Sequence, residues 1–405
     1  MTDVCSAATD LELPAPSRAT LRELFTYFLL LGTVGFGGPV VLVERMRRDL
    51  QEERRWFTTA EYKEGLALAQ LAPGPLAAQL AIYLGWVRRG IVGATVAGGA
   101  FIAPSFLMVL VLSAAYVRFG GLSWMRGAFY GIGASVIAII GSSATRLIRK
   151  TVARDRVLWG IVAVNALATA WTQREVVWLI GASGVVVLAI REIPHMGRGT
   201  VVSLAIPAWL LTGVHGEAPA RTLISVATYF AKAGAVVFGS GLAVVPFLHG
   251  GVVQQMQWLT ERQFLDAVAV SMITPGPVVI TVAFIGYLVA GPLGASAAAL
   301  GVFLPVYMVV VFVARSFHRL AANRPLRALI DGVTGAATGA IAGAVFVLGR
   351  RALTDVGAWA IFAATLGLIL FAKKIAEPVL ILSAGAVGVI IQSERAAAVV
   401  AAICG

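Results

Sequence analysis

The sequence predicts an all-α polytopic membrane protein: two inverted repeats with broken or re-entrant helices and about 9–13 crossings. Three observations carry the prediction. Apolar runs dominate the chain, the chain is duplicated in register, and each copy interrupts a membrane segment with Pro-Gly-Pro.

The composition comes first. Of 405 residues, 59% are hydrophobic and 13% charged, with a mean hydropathy of +0.87. A bilayer core about 30 Å thick needs about 20 helical residues per crossing, and apolar runs of that order recur from Leu24 almost to the C-terminus. They do not alternate apolar and polar residues as the strands of a membrane barrel would. The net charge of +12 resides in short loops between the runs, the footprint of the positive-inside rule rather than of nucleic-acid binding. Cys5 and Cys404 lie at opposite ends and define neither a disulfide framework nor a metal-ligand spacing.

Residues 1–23 mix acidic, proline and small polar residues and lack the basic-then-apolar plan of a signal peptide, so they read as a cytoplasmic tail before an uncleaved first segment. The first repeat then covers 24–198, a connecting segment 199–221, and the second repeat 222–405. At an offset of 202 residues Phe36-Gly37 meets Phe238-Gly239, Trp56 meets Trp258, and Pro73-Gly74-Pro75 meets Pro275-Gly276-Pro277. At an offset of 201, Gly85, Gly90, Gly93 and Pro104 meet Gly286, Gly291, Gly294 and Pro305. Apolar runs centre near 34, 76, 104, 136, 165 and 183, and near 238, 277, 303, 339, 364 and 389; "VVSLAIPAWLLTG" (201–213) adds a short thirteenth.

Counting all thirteen as crossings splits the loop Lys and Arg 18 to 13 between the two sides. Letting the first two segments of each repeat enter and leave by one face changes the split to 23 and 8, with Lys232 alone inside the membrane. Five crossings then separate the repeats, which makes them inverted.

Each Pro-Gly-Pro follows a helix start. Thr58 with Glu61, and Thr260 with Gln263, fit a capping box. A helix from Thr59 to Pro73 reaches about 21 Å, the midplane and no farther. Pro75 and Pro277 then occupy the first turn of a new helix, where proline is best tolerated. A helix beginning inside the membrane exposes free N–H groups and about half a positive charge, a setting suited to an oxyanion. "VGFGGPVVLV" repeats the device with Gly37, Gly38 and Pro39; its mate "VVFGSGLAVV" offers Gly239, Ser240 and Gly241. Four helix starts are thus expected at one midplane site.

The expected substrate-binding set is Gly37, Gly38, Pro39, Pro73, Gly74, Pro75, Gln79, Lys232, Gly239, Ser240, Gly241, Pro275, Gly276, Pro277 and Thr281. Gln79 and Thr281 follow the breaks by one turn at equivalent positions. Lys232 lies in an apolar segment, where a cation points by default to function. Glu64 and Asp266, equivalent carboxylates nine residues before each break, and Asp331 are candidates for proton coupling, with a helix-dipole role the competing reading. Asn165 reads as an interhelical hydrogen bond. "GASG" (181–184) matches the Gly-x-Ser-Gly of intramembrane serine proteases, but nucleophilic chemistry needs a nearby base, and His195, His215, His249 and His318 all read as loop residues. No enzyme, metal or cofactor is expected.

At "FGGP", "ERRW", "PGPLAAQLAIYLGW" and "FIAPSF", and at "WLTERQFLDAVAVSMITPGP" and "VAFIGYLVAG", the sequence resembles the chromate ion transporter family in its long-chain form with two homologous domains. The resemblance implies an inner-membrane oxyanion transporter exporting chromate, with sulfate as competing or exchanged anion and proton motive force as driver. The implied partners are the oxyanion, membrane lipid and, compatibly, a second copy of the chain. The sequence departs from the family pattern at Leu76, where Glu is frequent, at Met272, where Gln or Glu is common, and at Ser240, which breaks the second Phe-Gly-Gly. Another small-solute exporter or a passive anion channel is the alternative.

Overall fold

Helix boundaries follow the caps written in the sequence. In the computed structural model, which describes residues 19–36, 38–119, 123–152, 155–172, 177–192, 219–236, 248–315, 324–372, 375 and 377–404, α1 (Leu21–Val34) opens on Thr20 with a capping box to Glu23. The segment at 201–213, most of the N-terminal tail, and Gly37, Gly239, Ser240 and Gly241 lie outside the described residues. No strand occurs among the described residues.

After α1 the chain turns back at Gly35 into α2 (Gly38–Met46) and a π-helical turn, Arg47–Glu53. The two arms lie against each other: a Cβ on Gly35 would come within 2.7 Å of Leu42, and the Tyr27 hydroxyl donates to Asp49 at 3.3 Å. Next, α3 (Thr59–Leu71) opens on the expected capping box of Thr58 and Glu61. α4 (Leu76–Phe119) is two helices joined at Arg89 and Gly90, whose backbones leave the helical region.

Two further reversals follow from this. Arg88, at the end of the first arm of α4, pairs with Glu61 in the first turn of α3 at 2.8 Å, and Gly65 packs on Tyr83. So α3 and that arm form a hairpin closed at its open end, with Pro-Gly-Pro at its tip. The two arms of α4 form a second hairpin, whose backbones touch at Gly85 and Gly93 because neither position could hold a side chain. The apolar runs near 34 and 76 are therefore helical hairpins, and the run near 104 is the second arm of α4.

The second repeat reproduces the pattern. α8 (Pro219–Val236) meets a π-helical turn, His249–Gln255, and Tyr229 stacks edge-on against Trp258 at 5.7 Å as Tyr27 does against Trp56 at 6.1 Å. α9 (Glu261–Ile273) opens on Thr260 and Gln263. After a short 3-10 turn, Val278–Ile280, α10 (Thr281–Ala314) bends at Ala290 and Gly291.

The remaining helices are α5 (Ser123–Val152), α6 (Arg156–Thr172), α7 (Val177–Glu192), α11 (Arg324–Ala352), α12 (Val356–Phe371) and α13 (Glu377–Cys404). They exchange between repeats. α5 of the first repeat packs on α12 and α13 of the second, and α11 of the second packs on α6 and α7 of the first. Small residues permit the close approach that membrane helices use in place of a hydrophobic drive: Gly131 rests on the carbonyl of Ala384, and Gly339 on that of Val162. The repeats are thus interlocked.

Four stretches are long and apolar enough to cross a bilayer: Leu76–Phe119, Gly127–Arg149, Val278–Ala314 and Ala328–Ala352. The first and third are the bent helices, in which only the second arm has the length of a crossing.

Candidate functional site

Both Pro-Gly-Pro breaks are buried, and each is closed in part by the other repeat. At the first, α3 ends with the Ala72 amide donating to Leu68, and Gly74 takes φ +131°, a conformation that side chains disfavour. Gly74 faces Val306 of α10, whose methyls would lie 2.8–2.9 Å from an added Cβ. At the second, Gly276 takes φ +96° and faces Ser105 of α4 with no room for a Cβ. Ser105 and Val306 are repeat-equivalent, and each follows a proline inside its helix.

The equivalent carbonyls of Pro73 and Pro275 are satisfied by different means. Gln79, fully buried, folds back so that Nε2 donates to Pro73 O at 2.6 Å and Ala72 O at 3.3 Å. Its Oε1 is buried without a hydrogen-bond partner among the described residues. Pro275 O accepts from Ser105 Oγ at 2.7 Å. The Gly276 N–H donates to Gly35 O at 3.0 Å, which brings in the tip of the first hairpin beside Gly38 and Pro39 at the start of α2. Thr281 Oγ1 lies 2.6 Å from Ser271 Oγ and 2.7 Å from Val278 O, bracing the second break from inside.

The expected carboxylates are placed unevenly. Asp266, buried in α9, accepts from the Tyr116 hydroxyl of α4 at 2.7 Å. Glu64 is half-buried in α3 beside Tyr83. Asp331 sits apart from the breaks: it pairs at 2.6 Å with Arg191 of α7, which also binds Asp155. Arg191 holds the Asp155 carboxyl below the ordinary carboxylate range, helped by the amides of Leu158 and Val157 that Asp155 caps. Lys232 is half-buried in α8 and has no ion pair among the described residues.

Sequence reasoning missed Ser105 and Tyr116, which act across the repeats and so leave no local pattern. It also misplaced His249. That histidine is buried, not a loop residue: its Nε2 lies 2.6 Å from Glu261, whose carboxylate pairs in turn with Arg351. Burial, with the Arg351 charge, pushes its pKa down to about 4, so the ring is neutral at pH 7. Ser183 of "GASG" donates to Leu179 O and accepts from Asn165 at 3.1 Å, so Asn165 does bridge two helices. Among the described residues no three His, Cys, Asp or Glu side chains gather as a metal site.

Duplicated broken-helix hairpins, long apolar spans and a polar, backbone-rich centre define a multi-pass membrane protein of transporter type. The model of the family described as chromate transporter matches residues 22–188 and 224–389, and the chain belongs to that family. It is 53% identical to the chromate transport protein of Cupriavidus metallidurans over 92% of this chain and 93% of that one. It is 50% identical to the probable chromate transport protein of Synechococcus elongatus, covering 93% and 96%. A chromate transport protein of Pseudomonas aeruginosa is 33% identical over 95% of each chain. No solved structure matches.

Proposed function

We propose that this protein is a secondary transporter of the bacterial inner membrane that exports chromate, driven by proton motive force, with sulfate as a competing or exchanged anion and a cytoplasmic N-terminus. The observation that carries the reading is that each Pro-Gly-Pro break, where a half-helix starts, is buried against the proline-bearing second arm of the other repeat's bent helix. Helix starts supply N–H donors and positive dipole ends without the desolvation cost of several cationic side chains. Family membership and the names of its relatives support chromate as the anion.

The inverted relation is supported by register. Thr95, early in the second arm of α4, meets Tyr307, late in that of α10, at 2.7 Å, as two arms running in opposite directions would. The Gly276 N–H is occupied by Gly35 O here, so an anion at the second break requires that bond to open. We take it as a latch that separates the first hairpin from the second break during alternating access. Gly37, Gly38, Pro39, Gly239, Ser240 and Gly241 would then border the anion, and Lys232 would offset its charge. Asp266 with Tyr116, and Glu64 with Tyr83, are the proposed proton sites.

The test is transport. Everted vesicles carrying the protein should accumulate chromate when energised, with excess sulfate competing and an uncoupler abolishing uptake. Uptake indifferent to both sulfate and uncoupler would overturn coupled oxyanion carriage.

A further inference from the structure

A cleft of about 790 Å³ opens between α5, α11 and α12, away from the breaks: no residue that lines it belongs to α3, α9 or the hairpins they form. Its volume falls within the roughly 300–1,000 Å³ of small-molecule sites. Its chemistry changes along its length. One end carries the guanidinium groups of Arg146 and Arg149 on α5, both exposed, and the wall below them is apolar, with Phe362, Leu366, Ile369 and Leu370 on α12. From Ala138 to Arg149, eleven helical steps at 1.5 Å make the cleft about 16 Å deep, close to half of a hydrocarbon core about 30 Å thick.

A groove one leaflet deep, apolar inside and cationic at its mouth, complements an amphiphile with a negative head and an acyl tail. We propose that it binds an anionic glycerophospholipid, with the phosphate between Arg146 and Arg149 and one chain along α12. The acidic side chain at the mouth is Glu377, 4.0 Å from Arg146, and it leaves Arg149 for the phosphate. Arg156 opens α6 just after α5 ends at Val152, so this end of α5 is basic, and anionic heads gather on the basic side of a membrane. An inorganic oxyanion alone would make no use of the apolar wall. The site owes nothing to the central breaks, so it stands or falls separately from the transport reading.

The full chain, delipidated in detergent, would be titrated with phosphatidylglycerol or phosphatidylcholine and the bound lipid counted by native mass spectrometry. The wild type should prefer phosphatidylglycerol. At roughly fivefold in affinity per interfacial cation, Arg146→Gln with Arg149→Gln should weaken it about thirtyfold and leave phosphatidylcholine unchanged. Ala342→Leu, which narrows the wall without changing charge, should weaken both lipids. Monodispersity of each variant is checked by size exclusion. Equal binding of the two lipids by the wild type, or unchanged phosphatidylglycerol binding by the double variant, overturns the proposal. So does full displacement of the lipid by inorganic phosphate, which would mark a plain anion site, or burial of the cleft by a second copy in lipid-free detergent.

Discussion

The Arg88 guanidinium closes on the Glu61 carboxylate at 2.8 Å, joining the exit of one half-helix to the entrance of another. The same guanidinium donates to the Trp56 carbonyl and lies over the Phe57 ring at 4.3 Å. A hairpin so clamped has both of its helix ends together. The basic loop before it and the end of its second helix therefore lie at one end of the hairpin, which the proposed topology puts on one side of the membrane.

Accessibility tests this directly. A cysteine at exposed Glu53 should label only from the cytoplasm and one at exposed Gln255 only from the opposite side. Labelling of both from one side would remove the inverted arrangement.

Breaking the clamp should loosen the hairpin of α3 and the first arm of α4. Arg88 is mostly buried and Glu61 partly so, and removing one partner of a pair that is largely out of water leaves the other unsatisfied. Arg88→Met should cost about 2–3 kcal/mol, whereas Glu61→Gln, which keeps the cap, should cost about 1. Thermal unfolding in detergent reads the order; a larger loss for Glu61→Gln would contradict it.

The break glycines should be intolerant of any side chain. Gly276→Ala meets both a positive φ and Ser105, and strain of that kind costs about 1–3 kcal/mol. Adding Ser105→Gly should recover part of the loss of stability but not transport, because the Pro275 carbonyl then lacks its donor. Full recovery of transport by the double variant would show that the Ser105 bond has no part in it.

Asp266 and Tyr116 make the coupling prediction. Asp266→Asn should bind chromate in detergent yet lose the response of transport to an imposed pH gradient, and Tyr116→Phe should change that response while leaving binding intact. An undiminished response in Asp266→Asn would move coupling elsewhere.

His249 predicts a pH dependence of stability. Its pKa falls from 6.5 unfolded to about 4 folded, so between those values the unfolded chain holds the extra proton. Stability should then rise with pH through this window and level off above it, by up to about 3 kcal/mol. His249→Gln should flatten the profile measured by thermal unfolding between pH 4 and 7; an equal slope in the variant would point to another group.

Much of this protein was legible in one dimension because its signals are local. Thr58 with Glu61, and Thr260 with Gln263, announce their helices since a capping box is satisfied within four residues. Pro-Gly-Pro ends a helix wherever it stands, because two missing N–H groups and a positive φ leave no alternative. The duplication is a matter of spacing and needs no coordinates. What surrounds the breaks was another matter. Ser105 lies 170 residues from Pro275 and Tyr116 lies 150 from Asp266, and a buried polar group accepts any donor that packing delivers, so no sequence interval marks the pair. Nor could spacing reveal that α5 and α11 exchange places, since small residues that allow close helix approach suit many neighbours equally. The elements and their breaks were determined by the sequence itself, through short-range backbone chemistry. Only the tertiary structure decided which side chain of one repeat closes the break of the other, because that choice rests on long-range packing in a buried centre where every polar atom needs a partner.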